Sequence, residues 1–327
     1  MNKVLNLPYR LLIFACAVCV SFSVMAAKPL TIAVSRSPLS LPLYVAEENG
    51  YFAEEGVQVR FNEVIGGHRA MQSMLAGKSD LATVSETVVM FNSFEHNDFA
   101  LLASFVNSND DIKLVTRSNS KITKISELAG KRIGTILTTA SHYYLDTLLL
   151  FSGIDHDKVE IIDLQPESMS KSLQNGAVDA VAVWEPYPFQ ILANIKDART
   201  VPTPRFYNLT FNLTASRKFI ADDHGEKIVR LLHAINRAQQ FIEAEPIKAQ
   251  EIMKTRVGLE QAFVDWIWPH YNFRLSLDQS LLTTLESEAR WARAHGHVKA
   301  AKSPNYIDFV NTGPLRIALP GAATITE

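Results

Sequence analysis

Short runs of apolar and β-branched residues alternate with helix-length segments over much of the chain. One such run covers residues 30–34, and the helical segment after it begins at Ser37-Pro38 and stops at Gly50, because proline favours helix starts and glycine favours helix ends. The pattern predicts strands at 30–34, 57–61, 79–84, 131–135, 159–164 and 177–184, and helices at 38–49, 67–76, 141–151 and 167–174. This alternation indicates an α/β fold with largely parallel sheets.

The same order of elements occurs twice. Gly77-Lys-Ser-Asp80 and Gly176-Ala-Val-Asp179 lie at equivalent places between a helix and a strand, 99 residues apart. Any α/β protein repeats helix, glycine and strand, so one such pair would carry little weight. The agreement extends over strand, helix, strand, helix and strand, and it favours two similar Rossmann-like lobes.

Beyond residue 210 the pattern becomes mostly helical. Residues 227–244 carry apolar side chains at helical spacing, and further helices are expected at 247–254, 259–267 and 277–295. Two apolar segments, 112–117 and 208–215, flank the second unit and are the expected crossings between lobes. We therefore expect lobe 1 to comprise residues 28–116 and 211–327, lobe 2 to comprise 117–210, and a two-segment hinge to join them.

The N-terminus is typical of an export signal. Lys3 and Arg10 precede an apolar run of about 14 residues that ends at Ala26-Ala27, shorter than the roughly 20 residues of a membrane-spanning helix. Residues 1–26 are the predicted signal peptide, and the predicted location is the periplasm. The alternative is lipid attachment at Cys16, for which Phe14 is a bulky neighbour.

Composition and charge exclude several chemistries. Both cysteines, Cys16 and Cys19, lie inside the predicted signal peptide, so the remaining chain has no disulfide, thiolate nucleophile or cysteine-bound metal. With 32 basic and 34 acidic residues, the full sequence has no basic footprint for nucleic acid. Gly77-Lys78-Ser79 ends a helix, which argues against a phosphate-binding loop.

No catalytic signature accompanies these features. The chain has no Gly-x-Ser-x-Gly, His-Glu-x-x-His or Gly-x-Gly-x-x-Gly motif. His295 and His297 form the one close histidine pair, and the sequence sets no carboxylate beside them. We therefore expect no enzymatic activity, no cofactor and no metal site.

Several segments resemble a known family along nearly the whole chain. They are Leu41-Pro-Leu-Tyr-Val-Ala-Glu-Glu-Asn-Gly-Tyr-Phe-Ala-Glu-Glu-Gly-Val-Gln-Val59, Gly130-Lys-Arg-Ile-Gly134, Ser141-His-Tyr143, Leu164-Gln-Pro166 and Val183-Trp-Glu-Pro186. They are similar to periplasmic substrate-binding proteins of nitrate, taurine, alkanesulfonate and thiamine-precursor ABC importers, nearest to the taurine and sulfonate branch. The resemblance implies a monomeric type II clamshell that closes on a small solute and docks on a membrane permease. The cysteine-rich motif of the family's eukaryotic pyrimidine synthases is missing, which argues against their activity.

Candidate ligand-binding residues follow from the fold and from this resemblance. Ligands of open α/β sheets bind beyond the carboxyl ends of strands, and the turns expected there are rich in hydroxyl groups and glycine. The resemblance adds anion donors at Thr139, the Ala140 N–H, Ser141 and Tyr143, and a wall at Trp184. The expected ligand-binding residues are Ser37, Gly67, Ser85, Glu86, Thr139, Ala140, Ser141, Tyr143, Trp184 and Glu185.

Two acidic residues leave the ligand class open. If Glu86 and Glu185 face the cleft, an amine-bearing solute is favoured over a simple anion. Alternatively, each pairs with Arg36, Arg69 or a backbone N–H at a helix start. The expected function is solute capture for an ABC importer; the alternatives are a sensor that reports to a membrane receptor, or a binder of nitrate, bicarbonate or a pyrimidine thiamine precursor.

Overall fold

The computed structural model describes residues 28–222 and 224–326. The predicted signal peptide and Cys16 lie outside the described residues. Within those two ranges, no helix is both long and apolar enough to cross a membrane.

Eleven strands of the described chain form two sheets. The strands are β1 Leu30–Ser35, β2 Val59–Val64, β3 Leu81–Ser85, β4 Phe99–Ser108, β5 Ile112–Arg117, β6 Arg132–Thr135, β7 Glu160–Asp163, β8 Ala180–Trp184, β9 Ala198–Thr200, β10 Leu209–Ser216 and β11 Tyr271–Asn272. The first sheet has the order β11-β4-β10-β3-β1-β2 and the second the order β7-β6-β8-β5-β9. The predicted two-lobed α/β architecture is confirmed.

Helices cover the faces of both sheets. They are α1 Leu41–Glu48, α2 Tyr51–Glu54, α3 Gly67–Leu75, α4 Glu86–Asn92, α5 Ala140–Phe151, α6 Met169–Gln174, α7 Tyr187–Asn194, α8 Arg217–Ala221, α9 Gly225–Ala244, α10 Pro246–Val257, α11 Gln261–Ile267, α12 Gln279–Ala294 and α13 Gly313–Ala318. The helical stripe predicted at 227–244 is α9, which packs against α1, α2 and α13. Helix α12 packs against α4 and so belongs to the first lobe.

The two lobes repeat one arrangement of strands. In each lobe a central strand pairs in parallel with two neighbours: β1 with β2 and β3, and β6 with β7 and β8. The next strand, β10 or β5, is antiparallel to both of its neighbours. The shared order accounts for the duplicated sequence pattern.

The repeated aspartates make the same contact in both lobes. The Asp80 carboxylate accepts a hydrogen bond from the Thr31 N–H at 2.8 Å, and the Asp80 N–H donates to the Thr31 carbonyl. The Asp179 carboxylate likewise accepts from the Arg132 N–H at 2.9 Å, and its N–H donates to the Arg132 carbonyl. Each aspartate thus joins the start of its lobe's central strand to the strand that follows the aspartate.

The chain crosses between the sheets twice. The first crossing lies between Ser108 and Ile112, earlier than the boundary expected at residue 116, because β5 pairs with β8 of the second sheet. The second lies between Thr200 and Leu209. The two segments expected to be crossings are therefore the antiparallel strands β5 and β10, which enter their sheets beside the crossings.

Candidate solute-binding cleft

A cavity lies between the two lobes, and the space in and around it, including the open solvent at its mouth, is about 380 Å³. Six of the expected residues line it. Ser37, Gly67 and Ser85 come from the first lobe, and Thr139, Ala140 and Trp184 from the second. Turns at the carboxyl ends of strands in both lobes therefore meet at one opening.

Two helices of opposite lobes begin at this cavity. Gly67 is the first residue of α3 and Ala140 the first of α5. The first N–H groups of a helix have no partner within it and carry a partial positive charge. The cavity therefore has anion-attracting groups on both of its sides.

Glycine is needed where α3 begins. Gly66 has a φ of +82°, a backbone conformation that side chains disfavour. A Cβ on Gly67 would lie 3.0 Å from the Val84 Cα. The close approach places the start of α3 directly beside the end of β3.

The hydroxyl groups of the cleft differ in how they are engaged. Ser37 is buried, and its Oγ has no hydrogen-bond partner among the described residues. Thr139 donates its hydroxyl to the Ile136 carbonyl at 2.7 Å. Ser37 thus has a free donor for a solute, whereas Thr139 can only accept from one.

Trp184 closes the cleft across the lobes. Its ring centroid lies 6.4 Å from that of His68, and a Cβ on Gly66 would lie 3.4 Å from the Trp184 ring. His68 Nδ1 is buried without a partner among the described residues. Burial, and then the positive charge of Arg69, lower the pKa of His68, which favours its neutral form at neutral pH.

Asp111 is a cleft residue that the sequence reasoning missed. It lines the cavity from the first crossing. Its Oδ1 accepts the Tyr271 hydroxyl at 2.5 Å, and its buried Oδ2 has no partner within the described chain. Burial raises its pKa to about 6, so the group is mainly ionised at neutral pH. The polar run Asn-Asp-Asp at 109–111, directly after the buried strand β4, is the signal that could have revealed it.

Ser141 and Tyr143 lie behind the cleft lining. Ser141 is fully buried with an unpartnered Oγ, but it is not among the residues that line the cavity. The Tyr143 ring packs edge-on against Tyr207 and Trp291, with centroids 5.5 and 5.1 Å away. Burial raises the pKa of Tyr143 to about 12, so its hydroxyl keeps its proton.

Glu86 is directed into the first lobe and the second crossing. Its carboxylate accepts the Thr210 N–H at 2.8 Å and the Thr210 hydroxyl at 2.9 Å, together with the Tyr207 hydroxyl. Complete burial raises its pKa to about 7 although these donors lower it. It does not line the cavity.

Glu185 also lies outside the cavity lining. Its carboxylate accepts the Trp266 Nε1–H at 2.8 Å and the Phe189 N–H at 3.2 Å, and it lies 3.6 Å from the Lys113 Nζ. Burial raises its pKa to about 7, against the lowering effects of Lys113 and Trp266. Both glutamates thus have protein partners, among them backbone N–H groups.

The two arginines weighed as partners have other roles. Arg69 crosses the cleft mouth and donates to Glu167 at 2.7 Å and to Gln165 at 2.8 Å, both in the second lobe. The Nη2 of Arg36 lies 3.4 Å from the Val257 carbonyl within the first lobe. Arg69 therefore joins the lobes, whereas Arg36 does not.

Solved structures share this arrangement of two lobes. The alkanesulfonate-binding protein SsuA from Xanthomonas axonopodis pv. citri, bound to MOPS, superposes with a TM-score of 0.78 at 18% identity. The match covers 87% of this chain and 98% of that one. The fold is that of the periplasmic binding proteins.

Two curated proteins are similar to this chain in sequence. A putative aliphatic sulfonates-binding protein of Bacillus subtilis is 28% identical over 68% of this chain and 69% of its own. The taurine-binding periplasmic protein of Escherichia coli is 25% identical over 69% of this chain and 71% of its own. Residues 37–249 match the family model described as NMT1/THI5 like, and the chain belongs to that family.

The same fold also occurs in an enzyme. The desulfurization enzyme DSZB superposes with a TM-score of 0.64 at 16% identity, over 89% of this chain and 99% of that one. The fold by itself therefore does not decide between binding and catalysis. The two curated relatives named above carry the names of binding proteins.

Proposed function

We propose that this protein is the solute-binding component of an ABC importer and that it captures a small zwitterion carrying a sulfonate and an amine, such as taurine. The observation that carries the proposal is the pairing of charges around the cavity: helix starts and the free Ser37 hydroxyl on its walls, and the unpartnered Asp111 Oδ2 at its hinge side. Such a cavity offers complementary groups to both ends of a zwitterion.

The binding energy is sufficient for a small solute. A hydrogen bond to a charged group contributes roughly 1.5–3 kcal/mol, and micromolar affinity requires about 8 kcal/mol. The sulfonate would accept from the N–H groups at Gly67 and Ala140 and from Ser37, and Asp111 would accept from the amine. Leu39, Val88 and Phe211 line the same cavity and suit a short alkyl chain.

Asp111 also bears on the alternative ligands. A purely anionic solute such as nitrate or bicarbonate would meet an ionised carboxylate with no compensating amine, and this repulsion disfavours it.

Capture would proceed by hinge motion through the two crossings. The Arg69–Glu167 ion pair and the Trp266–Glu185 hydrogen bond join the lobes at two places. A solute that contacts both lobes shifts the equilibrium toward this arrangement by its differential affinity. No bond in the solute is made or broken, and the closed protein would be read by a membrane permease.

The proposal includes export and a monomeric state. Removal of residues 1–26 would release the chain into the periplasm, where the cleft can meet external solutes. N-terminal sequencing of protein from a periplasmic extract, with its mass in solution, tests both points. A retained N-terminus or a lipid at Cys16 would contradict the predicted processing.

Calorimetry with two matched ligands tests the solute class. Taurine and ethanesulfonate share the sulfonate and the two-carbon chain, and only taurine has the amine. At about pH 8 we expect Asp111→Asn to weaken taurine binding about tenfold or more and to leave ethanesulfonate binding unchanged or stronger. Ser37→Ala should weaken both.

The control is Asp110→Asn, because Asp110 is adjacent in sequence but pairs with Lys113 and Arg205 and does not line the cavity. It should leave both affinities unchanged. Failure of the unaltered protein to bind either sulfonate, or an equal effect of Asp111→Asn on the two ligands, would refute the zwitterion assignment.

A further inference from the structure

A cluster of three histidines and one aspartate lies away from the cleft, where the two lobes meet. His142 and Asp146 stand one turn apart on α5, and His156 follows in a short helical turn at residues 156–158 of the same lobe. His297 lies just beyond the end of α12, in the first lobe. Each residue can bring one ligand atom to within 4.8 Å of all the others.

We propose that His142, Asp146, His156 and His297 form a site for a divalent transition metal of the zinc type that links the two lobes. Imidazole nitrogen and carboxylate oxygen are ligands that Zn²⁺ accepts in tetrahedral sites. This proposal does not depend on which solute the cleft binds.

The distances suit a shared ion. Asp146 Oδ2 lies 3.3 Å from His297 Nε2 and 3.8 Å from His142 Nε2, and Asp146 Oδ1 lies 3.6 Å from His156 Nε2. Zinc bonds of about 2.0–2.1 Å place tetrahedral ligand atoms about 3.3 Å apart. Small side-chain movements would therefore complete the coordination.

Two atoms of the cluster lack hydrogen-bond partners. Asp146 Oδ1 and His156 Nε2 are both buried, and neither has a hydrogen bond with another described residue. The Asp146 side chain is only 2% exposed. A buried carboxylate oxygen without a donor is costly, and a cation between these two atoms removes that cost.

The surroundings of His142 favour the form that binds a metal. Burial lowers the pKa of His142 to about 4. A deprotonated carboxylate and a neutral imidazole are the forms that bind metals.

A second-sphere hydrogen bond holds Asp146. Trp291 Nε1 donates to Asp146 Oδ2 at 3.1 Å. The N–H of Thr138 lies 3.4 Å from His142 Nδ1. That long contact must be released for the His142 Nε2 to bind, so His142 is the fourth ligand to be recruited.

Metal can reach the cluster from solvent. The side chains of His156 and His297 are 35% and 17% exposed, and an open depression beside them is lined by residues 155–158 and by His295. Because His297 belongs to the first lobe and the other ligands to the second, a bound ion favours the arrangement in which the lobes are together.

The test is zinc titration by calorimetry on the full chain after treatment with EDTA. We expect one Zn²⁺ per chain and a higher melting temperature with zinc. His156→Ala and His297→Ala, which alter the two more exposed ligands on opposite lobes, should each weaken binding by about tenfold or more. Binding of Co²⁺ should give the visible absorption of a tetrahedral site.

Two histidine variants serve as matched controls. His295→Ala removes a neighbour outside the set, whose Nδ1 contacts the Trp291 carbonyl, and His233→Ala removes a histidine of α9. Both should bind zinc as the unaltered protein does. The proposal is overturned if the unaltered protein binds no zinc, if both ligand variants bind normally, or if His295→Ala loses as much affinity as His297→Ala.

Discussion

Trp266 donates a hydrogen bond across the lobes whose contribution to stability should depend on pH. Its acceptor, Glu185, is fully buried, and burial raises the pKa of that carboxyl from 4.5 to about 7. A raised carboxyl pKa means that the folded protein holds the proton more tightly than the unfolded chain. The protonated Glu185 carboxyl therefore makes its full contribution to the free energy of unfolding below about pH 4.5. That contribution is lost as the pH rises through about 7, a change of about 3 kcal/mol.

Trp266→Phe removes the N–H donor and retains an aromatic ring. At about pH 8 the change takes a donor from an ionised carboxylate, which costs roughly 1.5–3 kcal/mol, whereas at about pH 5 the acceptor is a neutral carboxyl and the loss is about 1 kcal/mol. The packing lost with the smaller ring is the same at both pH values. We therefore expect the destabilisation to be about 1 kcal/mol larger at the higher pH.

Urea unfolding of the unaltered protein and the variant at both pH values measures this difference. Trp268→Phe is the matched control, because Trp268 lies two residues away and its Nε1 has no hydrogen-bond partner among the described residues; its cost should not change with pH. An equal cost of Trp266→Phe at the two pH values, or the same increment in the control, would show that the bond to ionised Glu185 is not the source.

Three further changes test other contacts. Gly67→Ala should destabilise the protein by about 1–3 kcal/mol, because the added Cβ clashes with the backbone of Val84. Gly225→Ala is the control: an added Cβ there has nothing within 4 Å, and the change should be neutral or slightly stabilising. The melting temperatures of the two variants test this difference. Tyr207→Phe removes a donor to buried Glu86 and should cost roughly 1.5–3 kcal/mol by urea unfolding, more at about pH 8 than at about pH 5; a cost independent of pH contradicts this. Arg69→Ala breaks a half-exposed ion pair and should cost at most about 1 kcal/mol, with the cost shrinking in high salt; a larger, salt-independent loss contradicts it.

Local pattern predicted the repeated part of the fold because each element there has a clear period and a clear end. The helices α3 and α5 begin within one residue of the predicted positions, since glycine or a hydroxyl residue marks the start. Strand β4 was not predicted. Its residues, Phe99–Ser108, are almost all buried, and a continuous apolar run shows neither the helical nor the strand period.

The candidate site was predictable where position along a strand sufficed. Ser85 and Trp184 end their strands and reach the cavity, but Glu86 and Glu185, one residue later, are directed into the protein. Successive residues at a strand end point in different directions, so the composition of a turn does not tell which of its side chains faces a ligand. Asp111 was missed because its place depends on a crossing set by strand pairing.

The histidine cluster shows the same limit more strongly. In the sequence, His295 is close to His297 and no carboxylate is near them. In the structure, Asp146 and His156 lie next to His297. Asp146 and His156 each precede His297 by well over a hundred positions in the chain. Only the packing of α12 against the second lobe brings them together.

The strand order has a consequence for how the chain assembles during synthesis. All five strands of the second sheet lie in one continuous stretch, but the first sheet needs β10 between β3 and β4, and β10 follows the entire second lobe in sequence. A chain elongating from its N-terminus can therefore finish the later lobe first, while the earlier one waits with a gap at its centre. Pairing β10 with β3 and β4 joins segments about a hundred residues apart in sequence. Such long-range pairing is expected to be the slow step of folding.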